Sequence, residues 1–153
     1  MWLNYMHPAA RSSVLRPFRF LLVMWLFFSV SFFFNIDFGF LGILPRSYFG
    51  IIGIFTSPLV HGNLNHISSN SVPVLFLGTI LYFFYPNIAN RIFLQCYFFT
   101  NILVWFFGRS FLHIGASGLI YALAFFLISI GFFEGKFRAL IVSITVLAVY
   151  GTL

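Results

Sequence analysis

Long apolar segments decide what this chain can fold into. A helix of about 20 mostly apolar residues crosses a hydrocarbon core of roughly 30 Å. With 61% hydrophobic and only 7% charged residues, the chain is too apolar for a water-soluble core. The sequence therefore predicts an all-α, polytopic membrane protein with about five transmembrane helices, near Phe18–Ile36, Leu64–Tyr85, Ile88–Gly108, Ala116–Phe133 and Phe137–Leu153.

The region between the first two predicted helices, Asp37–Val60, has a different pattern. It is apolar, but four glycines and two prolines interrupt it too often for one continuous helix. We expect a long loop with short helices in the outer leaflet. Proline, glycine or charge also marks the later breaks, at Pro86, Arg109–Gly115 and Glu134–Lys136.

The basic residues predict the orientation of the helices. If the N-terminus is cytoplasmic, six lysines and arginines lie inside and two lie outside, which agrees with the positive-inside rule. The inner set is Arg11, Arg16, Arg19, Arg91, Lys136 and Arg138, and the outer set is Arg46 and Arg109. We expect a multi-pass protein of the bacterial inner membrane, with residues 1–17 as a cytoplasmic segment. Such scattered charges do not form a nucleic-acid-binding face.

Two polar motifs interrupt the apolar pattern at the same expected depth. "HGNLNHISSN" opens the second predicted helix and "HIGASGLIYAL" opens the fourth, and both helices run inward from the outer surface. His66 and Asn70 are four residues apart and share one helix face, while Ser117 lies in the first turn of the fourth helix. A serine that attacks a peptide bond creates an oxyanion, which imidazole, amide and helix N-terminal N–H groups can stabilise. The motifs favour a serine-centred site beneath the outer surface.

These two motifs resemble those of the rhomboid intramembrane serine proteases. "HGNLNHISSN" is similar to the His-x4-His-x3-Asn signature of the family's second helix, and "GASG" with "LIYAL" is similar to its nucleophile motif on the fourth. The preceding "GILPRSYFGIIGIFTSPLVHG" is similar to the family's first loop. The resemblance extends from about Gly42 to Leu123 and implies a rhomboid-like transmembrane domain over residues 18–153.

The resemblance also implies a role for each matched side chain. Ser117 would be the nucleophile, and His66, Asn70 and the Ser117 amide would form the oxyanion hole. His61 would line a pocket that holds water, and Tyr121 would stack against the catalytic imidazole.

The implied activity is cleavage of transmembrane helices of membrane-protein substrates, near the outer leaflet of the lipid bilayer. Gly115 and Gly118 would be the glycines of the nucleophile motif. No cofactor or metal is implied, because no carboxylate or thiol is near enough in sequence to His61 and His66 to complete a set of metal ligands.

The general base is where this chain departs from the family pattern. Rhomboids take that histidine from a sixth helix, in a His-x-x-Gly context, whereas this sequence ends at Leu153 in the expected fifth helix. The expectation is therefore a truncated domain that is inactive as it stands. Among its histidines, His113 precedes Ser117 by four residues and is a candidate substitute base.

Two other functions remain open from the sequence. An inactive rhomboid-like pseudoprotease that binds transmembrane helices would explain the missing base but not the intact Ser117. A small transporter or channel subunit would use the polar cluster for permeation. That function predicts broken helices or charged residues at mid-membrane, and apart from Pro73 the sequence shows no such pattern. "GASG" alone is also compatible with a small-residue seam between packed helices.

Overall fold

The computed structural model describes residues 8–134 together with Ile141 and Ile144. Within these residues the fold is all-helical, as predicted. Its helices are α1 (Pro8–Phe34), α2 (Gly53–Thr56), α3 (Leu64–Phe84), α4 (Ala89–Phe107) and α5 (Ser117–Glu134). Helices α1, α3, α4 and α5 correspond to the first four predicted spans, whereas the fifth, Phe137–Leu153, lies outside the described residues except at Ile141 and Ile144.

Two of the described helices are long and apolar enough to cross a membrane. They are Ser13–Phe34 within α1 and Leu64–Phe84, which is α3. These two spans support the predicted membrane architecture, and the total of about five stays a prediction.

Helix α1 begins earlier than the sequence predicted. It starts at Pro8 rather than Phe18, because proline is tolerated in a first turn and the following residues favour helix formation. It ends at Phe34, and the next residue, Asn35, has a φ of 53°, in the left-handed region that asparagine tolerates. The Ile36 N–H then donates to the Ser31 carbonyl at 3.1 Å, so that one of the last carbonyl groups of the helix is satisfied.

Helix α3 occupies the centre of the bundle and begins with a side-chain cap. Asn63 has an extended backbone, and its side-chain oxygen accepts a hydrogen bond from the His66 N–H at 2.8 Å. The polar start of this apolar helix thus satisfies backbone donors that have no partner inside the helix. On the α1 side, the Trp25 indole donates to the Ser71 hydroxyl at 3.0 Å.

The core is formed by apolar side chains from α1, α3, α4 and α5. Its largest fully buried members are Met24 from α1, Ile67, Val74, Leu77 and Leu81 from α3, and Leu119, Leu123 and Leu127 from α5, while α4 contributes Ala89, Phe93 and Tyr97. Packing these side chains together holds the N-terminal ends of α3 and α5 in a fixed relation.

The first loop contains the short helices that the sequence predicted. Besides α2, it has 3₁₀ turns at Gly39–Leu41, Phe49–Ile51 and Ser57–Leu59. Three side chains spaced four residues apart on α4 donate to loop carbonyl groups: Tyr97 to Phe55 (2.6 Å), Asn101 to Ile54 (2.9 Å) and Trp105 to Ser47 (3.0 Å). This row of donors holds the loop against one face of α4.

Arg46 joins the first loop to the C-terminal end of α4. Its Nη1 donates to the carbonyl groups of Phe106 (3.1 Å) and Gly108 (2.9 Å), and its Nη2 donates to the Ser110 hydroxyl (3.0 Å). Because cations stabilise helix C-termini, this contact both caps α4 and positions the segment that leads to α5.

We predict that Gly78→Ala lowers the melting temperature of the purified protein in detergent. An added Cβ at Gly78 would lie 2.6 Å from the Cβ of Pro17, so α1 and α3 would have to separate. Overpacking of this kind costs about 1–3 kcal/mol, against a gain of about 1 kcal/mol in helix propensity. Gly62→Ala is the matched control, because its added Cβ would have its nearest neighbour at 3.5 Å. A melting temperature for Gly78→Ala at or above that of the wild type would contradict the close packing of these helices.

Candidate active site

The candidate site lies where the N-terminal ends of α3 and α5 meet. Ser117 is the first residue of α5, and its side chain is exposed. The Gly115 N–H, just before it, donates to the carbonyl of Ser57 at the end of the first loop (2.9 Å). A short antiparallel bridge between Ile43 and His113 holds the same segment from the other side. The loop therefore fixes the backbone that presents the serine.

Gly115 brings the two polar motifs into contact. Its φ is +100°, a left-handed conformation that side chains disfavour, and a Cβ there would lie 2.4 Å from Nε2 of His66. The His66 imidazole thus packs against the bare backbone two residues before Ser117. The predicted proximity of His66 to the nucleophile motif is present in the structure.

His61 is buried behind His66. The two rings pack edge to face with centroids 4.9 Å apart, and only 4% of His61 is exposed. Its Nδ1 lies 3.4 Å from the Leu59 carbonyl oxygen, while its buried Nε2 has no hydrogen-bond partner among the described residues. Burial, with a contribution from His66, lowers the pKa of His61 from 6.5 to about 4, so this imidazole is neutral at physiological pH.

Asn70 is buried one turn beyond His66 on α3. Its Nδ2 donates to the backbone carbonyl of His66 at 2.9 Å. This bond turns the Asn70 side-chain amide toward the start of α3. The Nδ2 atom carries two N–H groups, and only one of them makes this bond. Asn70 thus lies on the core-facing side of α3 with His66 before it.

The outer face of α5 is open beside the serine. Tyr121, one turn after Ser117, is 53% exposed. On the adjoining face, a Cβ added at Gly118 would meet Thr100 of α4 at 2.8 Å, so this glycine allows α4 and α5 to approach closely. The two glycines of the motif thus have separate structural roles. Gly115 makes room for the His66 ring, and Gly118 allows α5 to pack closely against α4.

His113 does not take the position expected of a substitute base. Its Nε2 lies 3.0 Å from the Arg109 carbonyl oxygen, and its ring stacks on Phe111 at 4.3 Å between centroids. The imidazole is thereby engaged with the α4–α5 loop, and no hydrogen bond connects it to Ser117 within the described part of the chain.

Sequence reasoning did not identify two groups that build this site. Asn63 was detectable, because asparagine directly before an apolar helix is an N-cap signal. Ser57 was not, because it acts through its backbone carbonyl, which every residue type carries.

Comparison with known proteins agrees with this arrangement of motifs. A family model described as the rhomboid domain matches residues 48–153, which include every candidate site residue. The chain belongs to the rhomboid family. The family match and the apolar helices together support an integral membrane protein.

Similar curated proteins include mycobacterial proteins that are named as uncharacterised. Mb1372 of Mycobacterium bovis and Rv1337 of Mycobacterium tuberculosis are each 32% identical to this chain over 124 residues, covering 72% of this chain and 48% of theirs. ML1171 of Mycobacterium leprae is 30% identical over 95 residues, covering 53% of this chain and 35% of its own. The match spans about half the length of the first two relatives and about a third of ML1171. No solved structure matches it.

We predict that the stability of this rhomboid protein falls as the pH drops from about 6.5 to about 4. The pKa of His61 is 6.5 in the unfolded chain and about 4 in the folded one. Between these values the unfolded state binds more protons, so acid favours unfolding. Melting temperatures measured across this range should show a weaker pH dependence for His61→Gln than for wild type. An unaltered dependence in His61→Gln would show that another group is responsible.

Proposed function

We propose that this chain provides the nucleophilic half of an intramembrane serine endopeptidase that cleaves transmembrane helices of membrane proteins. The observation that carries the proposal is the contact of the His66 imidazole with Gly115, beside Ser117 at the start of α5. A helix-packing seam would account for the glycines, but it would not account for an imidazole pressed against this backbone.

In this proposal the Ser117 hydroxyl oxygen attacks the carbonyl carbon of the scissile peptide. The carbonyl oxygen becomes an oxyanion, stabilised by N–H donors of His66, Asn70 and the Ser117 amide. The helix dipole favours negative charge at the same position, because Ser117 is at the N-terminal end of α5. Loss of the amine product leaves an acyl-enzyme, which water then hydrolyses.

The Nε2 of His61, which has no hydrogen-bond partner among the residues that the structure describes, supports the predicted pocket for water. A buried polar atom without a protein partner is the kind of group that an internal water satisfies. Since burial keeps this imidazole neutral, its Nε2 can donate to or accept from such a water according to its tautomer. In this proposal the second reactant, water, lies behind the oxyanion donors.

The general base comes, in this proposal, from a helix that packs along the open side of α5. A cavity of about 750 Å³ lies between α4 and α5 and is lined on α5 by Ala122, Phe125 and Ser129. Ser117 and Tyr121 are exposed on the neighbouring face of α5 and do not line this cavity, so in this proposal the added helix extends from the groove onto that face. A histidine at that height could remove the hydroxyl proton, with Tyr121 positioned to stack against it.

A catalytically inactive, helix-binding rhomboid protein is the second candidate function. The observation that favours it is that, among the described residues, no imidazole forms a hydrogen bond with Ser117. The imidazole of His113 instead lies beside the Arg109 carbonyl oxygen. The two candidates make different predictions for Ser117.

Residues 1–153 alone should neither cleave a transmembrane substrate nor label at Ser117 with a fluorophosphonate probe, because the hydroxyl lacks a base. After a sixth helix bearing His-x-x-Gly is grafted from an active rhomboid, substrate cleavage should appear and Ser117→Ala should abolish it without changing the melting temperature. A folded, grafted protein that cleaves none of the tested helices would favour the helix-binding function.

In the grafted enzyme, His66→Ala and Asn70→Ala should each lower turnover by about 10²-fold, since one oxyanion donor is worth about 10²–10³ in rate and the remaining donors compensate in part. Tyr121→Ala should lower both activity and stability by loosening the restored imidazole. If His66→Ala and Asn70→Ala lower only the melting temperature and leave turnover per folded molecule unchanged, the two side chains are structural.

The orientation can be tested independently of activity. Reporter fusions after Asn87 should be cytoplasmic and fusions after Arg46 and Arg109 should be external, because six basic residues favour the inner side and two the outer. The reverse pattern would place Ser117 near the inner surface and would contradict cleavage near the outer leaflet.

A further inference from the structure

At the end of the bundle opposite the candidate active site, Arg16 lies at the junction of three helices. Its guanidinium carbon is 5.2 Å from the centroid of the Tyr82 ring on α3. Its Nη1 donates to the side-chain oxygen of Asn90, at the start of α4, at 3.4 Å. An arginine of α1 is thus positioned by side chains from both neighbouring helices.

The close packing of α1 and α3 makes this junction possible. Pro17, next to Arg16, lies against Gly78, where an added Cβ would be only 2.6 Å away. Tyr82 is one turn beyond Gly78 on α3, so the bare glycine allows α1 to bring Arg16 over the ring.

Two further arginines carry charge near this junction. Arg19 is three residues beyond Arg16 on α1 and Arg91 is adjacent to Asn90 on α4, and all three arginines are exposed. The chain has only two acidic residues, Asp37 and Glu134. The carboxylate of Asp37 accepts the Gly39 N–H in the first loop (2.7 Å), so among the described side chains no carboxylate neutralises the three guanidinium groups.

An exposed apolar stripe lies on α1 beside Arg19, which is three residues before Leu22. Phe18, Leu22 and Leu26 are spaced four residues apart and are 41%, 52% and 61% exposed. A ligand held here would therefore meet cationic groups at one end and an apolar helix surface below them. That combination fits an amphiphile with an anionic headgroup.

We propose that Arg16, Arg19 and Arg91, which we name the arginine site, bind the phosphate headgroup of an anionic phospholipid whose acyl chains lie along Phe18, Leu22 and Leu26. The planar guanidinium presents several N–H donors in a geometry that matches phosphate oxygens, and Asn90 uses only one donor of Arg16. This site is separate from the serine and does not depend on protease activity.

The test measures lipid binding to the full chain purified in neutral detergent. Native mass spectrometry should show tighter binding of phosphatidylglycerol than of phosphatidylcholine with the same acyl chains, and added salt should weaken it. Arg91→Gln and Arg19→Gln should each weaken phosphatidylglycerol binding about fivefold, as expected for one basic residue near an anionic headgroup. Arg16→Gln should weaken it at least as much.

Arg109→Gln is the matched control, because it removes one arginine at the far end of α4. Arg109→Gln should leave lipid binding unchanged. Because Arg16 contacts both α3 and α4, Arg16→Gln can disturb the fold itself. Arg91→Gln therefore tests the site without removing those contacts. Equal binding of the two lipids, or equal loss in Arg109→Gln and Arg91→Gln, would overturn the proposal. Competition by inorganic phosphate that removes the preference for phosphatidylglycerol would show an anion site without lipid specificity and would also overturn it.

Discussion

The contact between the His66 imidazole and the backbone of Gly115 is the constraint on which the candidate site depends. A side chain at position 115 would occupy the space of the His66 ring, and the φ of +100° there is one that glycine adopts without strain. The contact connects the start of α3 to the residue two places before Ser117. Neither polar motif could form the site alone, because each contributes one side of this contact.

The surrounding hydrogen bonds hold both partners of that contact in place. Asn63 caps α3 and thereby fixes the backbone of His66, while the Ser57 carbonyl accepts the N–H of Gly115. The first loop that contributes Ser57 is in turn held by Tyr97, Asn101 and Trp105 of α4. This row of donors satisfies three carbonyl groups of the irregular loop backbone.

Burial decides the chemistry of His61, which lies in the loop before α3. His61 is neutral because charging it would require a proton in a site that excludes solvent, next to a second imidazole. Its Nε2 has no hydrogen-bond partner in the part of the chain that the structure describes, so it is available to a polar ligand of the size of water. The serine, by contrast, lies on an open helix face, where a further helix can reach it. The candidate site thus joins a closed side, where His61 and His66 pack together, to an open side at Ser117.

The sequence by itself determined the helical architecture, the two polar motifs and the family to which the chain belongs. Helices in a membrane satisfy their own backbone hydrogen bonds, so the length and hydrophobicity of each segment predict it without knowledge of the rest of the chain. Proximity of His66 to the serine motif also followed from the order and depth of the two helices. Only the tertiary structure decided that Gly115 receives the His66 ring, that His113 turns toward the Arg109 carbonyl, and that Arg16 meets Tyr82 and Asn90. These contacts depend on the local backbone conformation and on close packing between segments distant in sequence, and neither leaves a periodic signal in the residues themselves.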